Sequence, residues 1–169
     1  IFTIRERLGG FKGLNVGIFG DLLHSRVARS NIYALTKLGA NVTVFGPETL
    51  MPPYIEQLGV KKAADMNGLV KQSDVIISLR IQLERQKSAL FPTINEYARF
   101  YGLTEERLKL VKKGALIMHP GPINRGIEIS SAAADDEKSV ILPQVTNGVA
   151  VRMALLFLLT RGGKNEKIN

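Results

Sequence analysis

The chain has 169 residues, enough for one domain with a buried core, and 45% of them are hydrophobic, as in ordinary globular proteins. Its 23 lysines and arginines exceed its 15 aspartates and glutamates, so the net charge is +8 and anions are the natural ligands. The chain contains no cysteine and only 2 histidines, which argues against disulfides, thiolate metal sites and a structural metal ion.

Two further classes of partner are disfavoured by the distribution of residues. Basic residues are scattered, and only Lys61-Lys62 and Lys112-Lys113 are adjacent, so a nucleic-acid interface is not indicated. The longest nearly apolar run, residues 149–159, contains Arg152 and is too short to span a bilayer. Because a signal-peptide pattern is also absent, the sequence predicts a cytoplasmic protein without a membrane or nucleic-acid partner.

Short apolar runs alternate with amphipathic segments along the chain. Residues 1–8 have the pattern of a helix end closed by Gly9-Gly10. Strands are predicted at residues 14–19, 41–45, 74–79 and 115–118, with an edge strand at 140–142. Helices are predicted at residues 25–38, 52–59, 67–72, 95–111 with a break at Gly102, and 147–160. This alternation predicts a single-domain α/β fold with a doubly wound, mostly parallel sheet flanked by helices, of the Rossmann-like type.

Polar residues follow three of the predicted strands. The first strand is followed by Asp21 and Arg26, the third by Arg80 and Gln82, and the fourth by residues 119–122. Because the carboxyl ends of parallel strands lie at one edge of a sheet, these groups are expected to converge. Two arginines at one cleft repel each other unless an anion lies between them, and each can bind a carboxylate or phosphate bidentately. The pattern therefore predicts a site for a small anion.

Simpler interpretations remain open for the same residues. Asp21 can brace its loop, His24 can be an ordinary polar loop residue, and Arg80, Glu84 and Arg85 can form an exposed charged turn. The chain lacks the Gly-x-Gly-x-x-Gly pattern of a dinucleotide site, and neither histidine has a Ser or Asp partner at a spacing that indicates a nucleophilic triad.

Four motifs in the same order resemble a known family over essentially the whole length of 169 residues. They are Gly20-Asp21-Leu22 with Ser25-Arg26, Arg80-Ile81-Gln82-Leu83-Glu84-Arg85, His119-Pro120-Gly121-Pro122, and Gln144-Val145-Thr146-Asn147-Gly148. Together these motifs resemble the C-terminal, aspartate-binding half of the catalytic subunit of aspartate carbamoyltransferases. Two positions depart from the family, which often has leucine in place of Gly121 and lysine in place of Leu83.

The resemblance implies a reaction and its ligands. In the family, the amino group of L-aspartate attacks carbamoyl phosphate to give N-carbamoyl-L-aspartate and phosphate, an early step of pyrimidine biosynthesis. The implied partners are these two substrates, further copies of the chain in a homotrimer, and possible regulatory or pathway-enzyme subunits; no cofactor and no metal ion are implied.

The resemblance also implies roles for individual residues. Aspartate carboxylates are expected on Arg26, Arg80 and Gln82, and carbamoyl phosphate on backbone groups of Gly121 and Pro122, whose peptide bond is expected to be cis. Supporting roles are implied for the polar neighbours of these residues, namely Asp21, Glu84, Arg85 and His119.

The domain organisation follows from the same resemblance. Residues 1–169 are expected to form the aspartate-binding domain, in which residues 1–8 and 147–160 are inter-domain helices that lie together and expose apolar surface. The carbamoyl-phosphate domain, with its phosphate-binding residues, is expected upstream of Ile1, so this chain alone is expected to be inactive.

Two other functions remain open. An ornithine-type or other carbamoyltransferase is the nearest alternative, although an arginine pair suits a carboxylate better than the cationic amine of ornithine. An ornithine enzyme is also expected to have His-Cys-Leu-Pro where this chain has residues 119–122. The second alternative is a non-catalytic, anion-binding module of Rossmann-like fold.

Overall fold

The computed structural model describes residues 1–81 and 93–162, which contain a parallel sheet of five strands. The strands are β1 (Asn15–Phe19), β2 (Asn41–Phe45), β3 (Lys61–Lys62), β4 (Val75–Ser78) and β5 (Leu116–Met118). Their order across the sheet is β3-β2-β1-β4-β5, and every neighbouring pair is parallel. The α/β, doubly wound architecture predicted from the sequence is confirmed.

Seven α-helices connect and flank the strands within the described residues. They are α1 (Phe2–Leu8), α2 (Arg26–Lys37), α3 (Met66–Gln72), α4 (Ile94–Tyr101), α5 (Glu105–Leu108), α6 (Ser131–Ala134) and α7 (Ile141–Gly162); two 3-10 turns lie at Glu48–Leu50 and Ile55–Leu58. Local chemistry sets several of these ends. The hydroxyl of Ser25 accepts a hydrogen bond from the Ala28 amide at 3.0 Å, and Gly9 closes α1 in the left-handed conformation.

Two hydrophobic clusters cover the two faces of the sheet. One contains Val75 and Ile77 of β4 together with the buried residues of α2, and the other contains Ile76 of β4 together with those of α3 and α6. Adjacent residues of β4 thus point into different clusters, as the period of two of a strand requires. Because β4 is covered on both faces, its sequence Val-Ile-Ile-Ser is almost continuously apolar rather than alternating.

The amino ends of the central strands are held by Asp74. Its Oδ1 atom accepts from Lys112 Nζ at 2.7 Å, and its Oδ2 atom accepts from the Asn15 amide at 2.9 Å. Burial alone raises the pKa of this carboxyl group, but the hydrogen bonds from Lys112 and Asn15 outweigh burial, and the net pKa is lowered.

The prediction of an edge strand at residues 140–142 is wrong. Ser139 makes a single bridge to Ile117, and α7 begins at Ile141 instead of residue 147. Pro143 lies in the first turn of α7. The N–H groups of a first turn have no partner within the helix, so a proline there removes no helical hydrogen bond. The predicted helix at residues 52–59 is replaced by the 3-10 turns, and both β3 and α6 were not predicted.

Gly20 joins the sheet to the loop that carries Asp21. Its φ is 122°, a region that side-chain-bearing residues rarely adopt, and an added Cβ would lie 2.9 Å from both Leu79 Cβ and Leu79 O. The backbone of β1 therefore passes the end of β4 at a distance that only glycine permits.

We expect Gly20→Ala to lower the free energy of unfolding by about 1–3 kcal/mol, because the methyl group overpacks against Leu79 and the backbone torsion is strained. Urea denaturation of the purified chain measures this change. Gly10→Ala is the control, since Gly10 has an ordinary φ and an added Cβ there would meet nothing within 4 Å, and its effect should stay within about 0.5 kcal/mol. Equal effects of the two substitutions would contradict the close-approach explanation.

Candidate functional site

A cavity of about 250 Å³ opens at the carboxyl edge of the sheet. Its walls come from the three segments that follow β1, β4 and β5, and the lining residues are Asp21, His24, Ser25, Arg26, Val27, Arg80, Pro120, Gly121 and Pro122. The predicted convergence of three strand ends is therefore confirmed. Gln82, Glu84 and Arg85 fall outside the described residues.

Among the described residues, two arginines supply positive charge to the cavity. Arg26 is the first residue of α2 and is exposed, whereas Arg80 follows the buried Leu79 and is partly buried. The N-terminus of α2 adds amide N–H groups without helical partners and the positive end of the helix dipole. Guanidinium groups and a helix N-terminus at one cavity make an environment that favours an anion.

Asp21 and His24 form a pair at the base of the loop. Asp21 is only 3% exposed, and its Oδ1 atom accepts from the His24 amide at 3.0 Å. His24 Nδ1 lies 3.0 Å from Oδ1 and 3.1 Å from Oδ2 of the same carboxylate. The structure therefore places Asp21 as a carboxylate that braces the loop leading to Arg26, the simpler of its two sequence-based interpretations.

The loop after β5 lines the cavity with Pro120, Gly121 and Pro122. The Gly121–Pro122 peptide bond is cis, as the resemblance implied. The Gly121 amide donates to Nδ1 of the buried His119 at 2.8 Å, and Pro122 has no N–H. The polar backbone groups that Gly121 and Pro122 can offer to a ligand are therefore their carbonyl oxygens, which accept hydrogen bonds.

Four polar residues near the site have no role predicted from the sequence, although Gln144 belongs to one of the motifs that resemble the family. Glu128 is fully buried, lies 3.1 Å from His119 Nε2 and accepts a hydrogen bond from Asn124. Gln144 Oε1 accepts a hydrogen bond from the His119 amide at 3.2 Å. Tyr97 is also fully buried. The position of Glu128 between two isoleucines indicates a buried carboxylate. A buried carboxylate needs hydrogen-bond donors from neighbouring residues, which makes Glu128 a candidate for a structured polar cluster.

The structure contains no group of three or more His, Cys, Asp or Glu residues that could hold a metal ion, within residues 1–81 and 93–162. The described residues around the cavity provide the guanidinium groups of Arg26 and Arg80, the N-terminus of α2, and the polar side chains of Asp21, His24 and Ser25.

Comparison with protein families matches residues 12–159 to the description "Aspartate/ornithine carbamoyltransferase, Asp/Orn binding domain". The chain belongs to this carbamoyltransferase family. The match includes every described residue that lines the cavity.

Relatives with high identity carry the aspartate-specific name. The aspartate carbamoyltransferase catalytic subunit of Acetivibrio thermocellus is 59% identical over 169 residues, which are 100% of this chain and 54% of that protein. The corresponding subunit of Moorella thermoacetica is 64% identical over 165 residues, which are 98% of this chain and 53% of that protein. The chain thus spans about half the length of the curated relatives it matches.

Solved structures of other carbamoyltransferases share the fold. The catalytic subunit of M. jannaschii aspartate transcarbamoylase matches with a TM-score of 0.78 and 31% identity, covering 98% of this chain and 55% of that one. The ornithine carbamoyltransferase of Pyrococcus furiosus matches with a TM-score of 0.75 and 28% identity, covering 91% of this chain and 52% of that one.

In this carbamoyltransferase domain, Tyr97 belongs to a hydrophobic cluster with Ile81 and Leu50. Burial, followed by the negative charges of Glu128 and Asp21, raises the pKa of the Tyr97 phenol well above its ordinary value. The neutral phenol is thus strongly favoured in the folded state.

This shift predicts a loss of stability at alkaline pH. The unfolded phenol ionises near pH 10, so the contribution of Tyr97 is complete below about pH 10 and is lost as the pH rises toward the higher folded pKa. Between about pH 8 and pH 11 the urea midpoint of Tyr97→Phe should therefore fall less than that of the unsubstituted chain. Tyr54→Phe is the control, because Tyr54 is 76% exposed. Identical pH dependence in all three proteins would contradict the prediction.

Proposed function

We propose that the chain is the aspartate-binding half of an aspartate carbamoyltransferase, which transfers the carbamoyl group of carbamoyl phosphate to the amino group of L-aspartate. The observation that carries the proposal is the placement of Arg26 and Arg80 at one cavity, on different segments of the same sheet edge. L-Aspartate has two carboxylates, and each can form a bidentate pair with a guanidinium group. Gln82, two residues after Arg80 in the sequence, is proposed to complete this subsite.

The carbamoyl group is proposed to lie against residues 120–122. The carbonyl oxygens of Gly121 and Pro122 are acceptors, so they suit the NH2 part of carbamoyl phosphate or the attacking amine rather than its phosphate oxygens. Phosphate needs donors or cations, and these are proposed to come from another domain and from the arginines. Catalysis then consists of orienting amine and carbamoyl carbon and of stabilising developing negative charge.

Aspartate is favoured over ornithine by the charge of the cavity. Ornithine carries a cationic side-chain amine, and two guanidinium groups at the cavity would repel it. The relatives of 59% and 64% identity are named as aspartate enzymes, whereas the ornithine carbamoyltransferase structure is 28% identical. Glu84 and Arg85 are proposed to support the segment of sequence that follows Arg80. Asp21 and His119 are proposed to position the loops after β1 and β5.

Arg80→Ala should raise the KM for aspartate and lower kcat in the complete two-domain enzyme. Removing one partner of a desolvated charge pair costs about 2–5 kcal/mol, or roughly thirty- to several-thousand-fold in kcat/KM. Arg80→Lys should also be impaired, because an ammonium group cannot form a bidentate pair. Steady-state kinetics with varied aspartate measure both effects.

The control for Arg80 is Arg99→Ala, since Arg99 is an exposed arginine of α4 whose guanidinium lies over the Phe100 ring and not at the cavity. Its kinetics should match those of the unsubstituted enzyme. Unchanged aspartate kinetics in Arg80→Ala would rule out the proposed role.

A second part of the proposal concerns an apolar surface on α7. All described side chains from residue 149 to 160 are exposed, although most are aliphatic or aromatic. The exposed fractions of Met153, Leu155 and Leu159 are 66%, 54% and 76%. α1 lies against α7, where Asn147 Nδ2 donates to Thr3 Oγ1 at 3.1 Å and to Glu6 Oε2 at 2.9 Å. The two terminal helices thus pack together, as expected, and α7 exposes a large apolar surface.

We propose that this surface binds the carbamoyl-phosphate domain. A groove between α1 and α7, which includes Arg152 of α7, is also lined by Pro120. Pro120 lines the cavity as well, so a domain bound in this groove would lie next to the site. Residues 1–8 and 141–162 would then be the inter-domain helices of a domain comprising residues 1–169.

By length and composition, residues 141–160 could also cross a membrane, and only 6% of their most apolar window is buried. The sequence-based argument that the apolar run is too short therefore does not hold for the whole helix. Several polar side chains favour a protein partner instead, since Arg152 lies mid-helix and an arginine at a bilayer centre costs about 2.5–3.5 kcal/mol on insertion scales. We propose that the protein is cytoplasmic, has no membrane partner and assembles as a homotrimer in its complete form.

Mixing this chain with a separately expressed carbamoyl-phosphate domain should produce carbamoyl-aspartate synthesis that neither part shows alone. Leu159→Asp should reduce the recovered activity at least tenfold, because a carboxylate at an apolar interface must be desolvated. Tyr54→Asp is the control, since Tyr54 is equally exposed, at 76%, but is not on α7. Equal recovery with both variants would contradict docking on α7, and flotation with lipid vesicles would favour a membrane.

A further inference from the structure

A buried carboxylate links the two walls of the cavity. Glu128 has 0% exposure and lies between Ile127 and Ile129, in the loop that connects β5 to α6. Its Oε1 atom accepts from the Asn124 amide at 2.6 Å and lies 3.1 Å from His119 Nε2, and its Oε2 atom accepts from Asn124 Nδ2 at 3.2 Å. Both carboxylate oxygens are therefore used, each by a donor of the same loop.

The hydrogen bonds of His119 assign its tautomer. The Gly121 amide donates to His119 Nδ1 at 2.8 Å, so Nδ1 is an unprotonated acceptor. The ring proton must then be on Nε2, from which it is donated to Glu128. His119 thus connects the buried carboxylate to the backbone of a residue that lines the cavity.

Asn124 makes the second connection. Its Nδ2 atom donates to Glu128 Oε2 and, at 3.0 Å, to the carbonyl oxygen of Ile81. Ile81 directly follows Arg80, so this bond fixes the backbone next to the proposed aspartate-binding guanidinium. One chain of hydrogen bonds therefore runs from Gly121 through His119, Glu128 and Asn124 to Ile81.

Stability alone is a poor explanation for this arrangement. Burying a carboxylate is costly unless it is fully hydrogen-bonded, and apolar residues of similar volume often stabilise a core as well or better. The backbone of Glu128 is in addition anchored separately, because its carbonyl oxygen accepts from the Leu103 amide at 3.0 Å and from Ser78 Oγ at 3.4 Å. The side chain can thus be changed while the path of the backbone is retained.

We propose that Glu128 is a positioning residue, which through His119 and Asn124 holds the Gly121-Pro122 wall and the Arg80 wall of the cavity in one fixed relation. The kinetic part of this inference rests on the proposed function. The chain of hydrogen bonds has two arms: the His119 arm runs from Glu128 to Gly121, and the Asn124 arm runs from Glu128 to Ile81. We expect substitutions in the two arms to have different effects, because the His119 arm ends at the proposed carbamoyl side and the Asn124 arm at the proposed aspartate side.

Single substitutions in the complete enzyme test the two arms. His119→Gln keeps a donor near the Nε2 position but removes the acceptor for Gly121, so the KM for carbamoyl phosphate should rise about three- to tenfold, as expected for a lost hydrogen bond. Asn124→Ala removes the contact with Ile81, so the KM for aspartate should rise by a similar factor of about three to ten. Glu128→Gln should raise at least one of the two KM values, because an amide can accept on only one of the two sides.

Arg125→Ala is the matched control in the same loop. Arg125 pairs with Asp135 at the surface, with 2.7 Å between Nη1 and Oδ2 and 2.8 Å between Nη2 and Oδ1, and takes no part in the chain of hydrogen bonds. It should leave both KM values unchanged. If Glu128→Gln lowers the melting temperature but leaves both KM values unchanged, the residue is only structural and the proposal is wrong.

Two measurements that do not need activity separate this inference from the proposed function. The ¹⁵N shifts of His119 should show a protonated Nε2 and a bare Nδ1, and hydrogen exchange of the Gly121 amide should accelerate about three- to tenfold in His119→Gln. Equal exchange in both proteins would overturn the positioning role whatever the activity. If the unsubstituted enzyme makes no carbamoyl-aspartate, but exchange of the Gly121 amide accelerates in His119→Gln as expected, the proposed function is wrong and the positioning role of Glu128 is retained.

Discussion

Parallel pairing of β1, β4 and β5 is the constraint on which the site depends. Val16 pairs with Val75, and Ile76 with Ile117, so the three strands end at the same edge and their following loops share one cavity. A slip of one residue in either pairing would exchange the faces of a strand, disrupt the close packing of both hydrophobic clusters and shift one loop relative to the others. The burial of β4 on both faces therefore protects the geometry of a cavity to which its own side chains do not contribute.

The cavity combines a cationic surface with a polar interior made mostly of neutral donors. Arg26 and Arg80 provide charge where a ligand can reach it, whereas Asp21 and Glu128 are buried and saturated by donors from their own loops. The guanidinium groups at the cavity are the groups proposed to bind an anion, and the net charge of +8 of the chain favours anionic ligands.

Local patterns predicted the parts of the fold in which local preference and tertiary packing agree. The first strand, the helix capped by Ser25 and the shared edge of three loops follow from short-range signals that the structure retains. Residues 140–142 are β-branched or aliphatic, but Pro143 follows directly; it has no N–H for a strand ladder and is compatible with the first turn of α7. The His119–Glu128 pair could not be derived, because partners nine residues apart in an irregular loop have no periodicity that identifies them.

α7 is one rigid element with two very different ends. Near its start, Gln144 is hydrogen-bonded to the backbone of His119, and toward its other end Leu158 and Leu159 face solvent. Any partner that binds this helix only in the folded chain adds to folding stability by mass action, by about 2.7 kcal/mol at a concentration one hundred times its dissociation constant. The apparent melting temperature of the domain then depends on the concentration of the partner. The helix that binds the partner is also the helix that is hydrogen-bonded to the residue directly after β5.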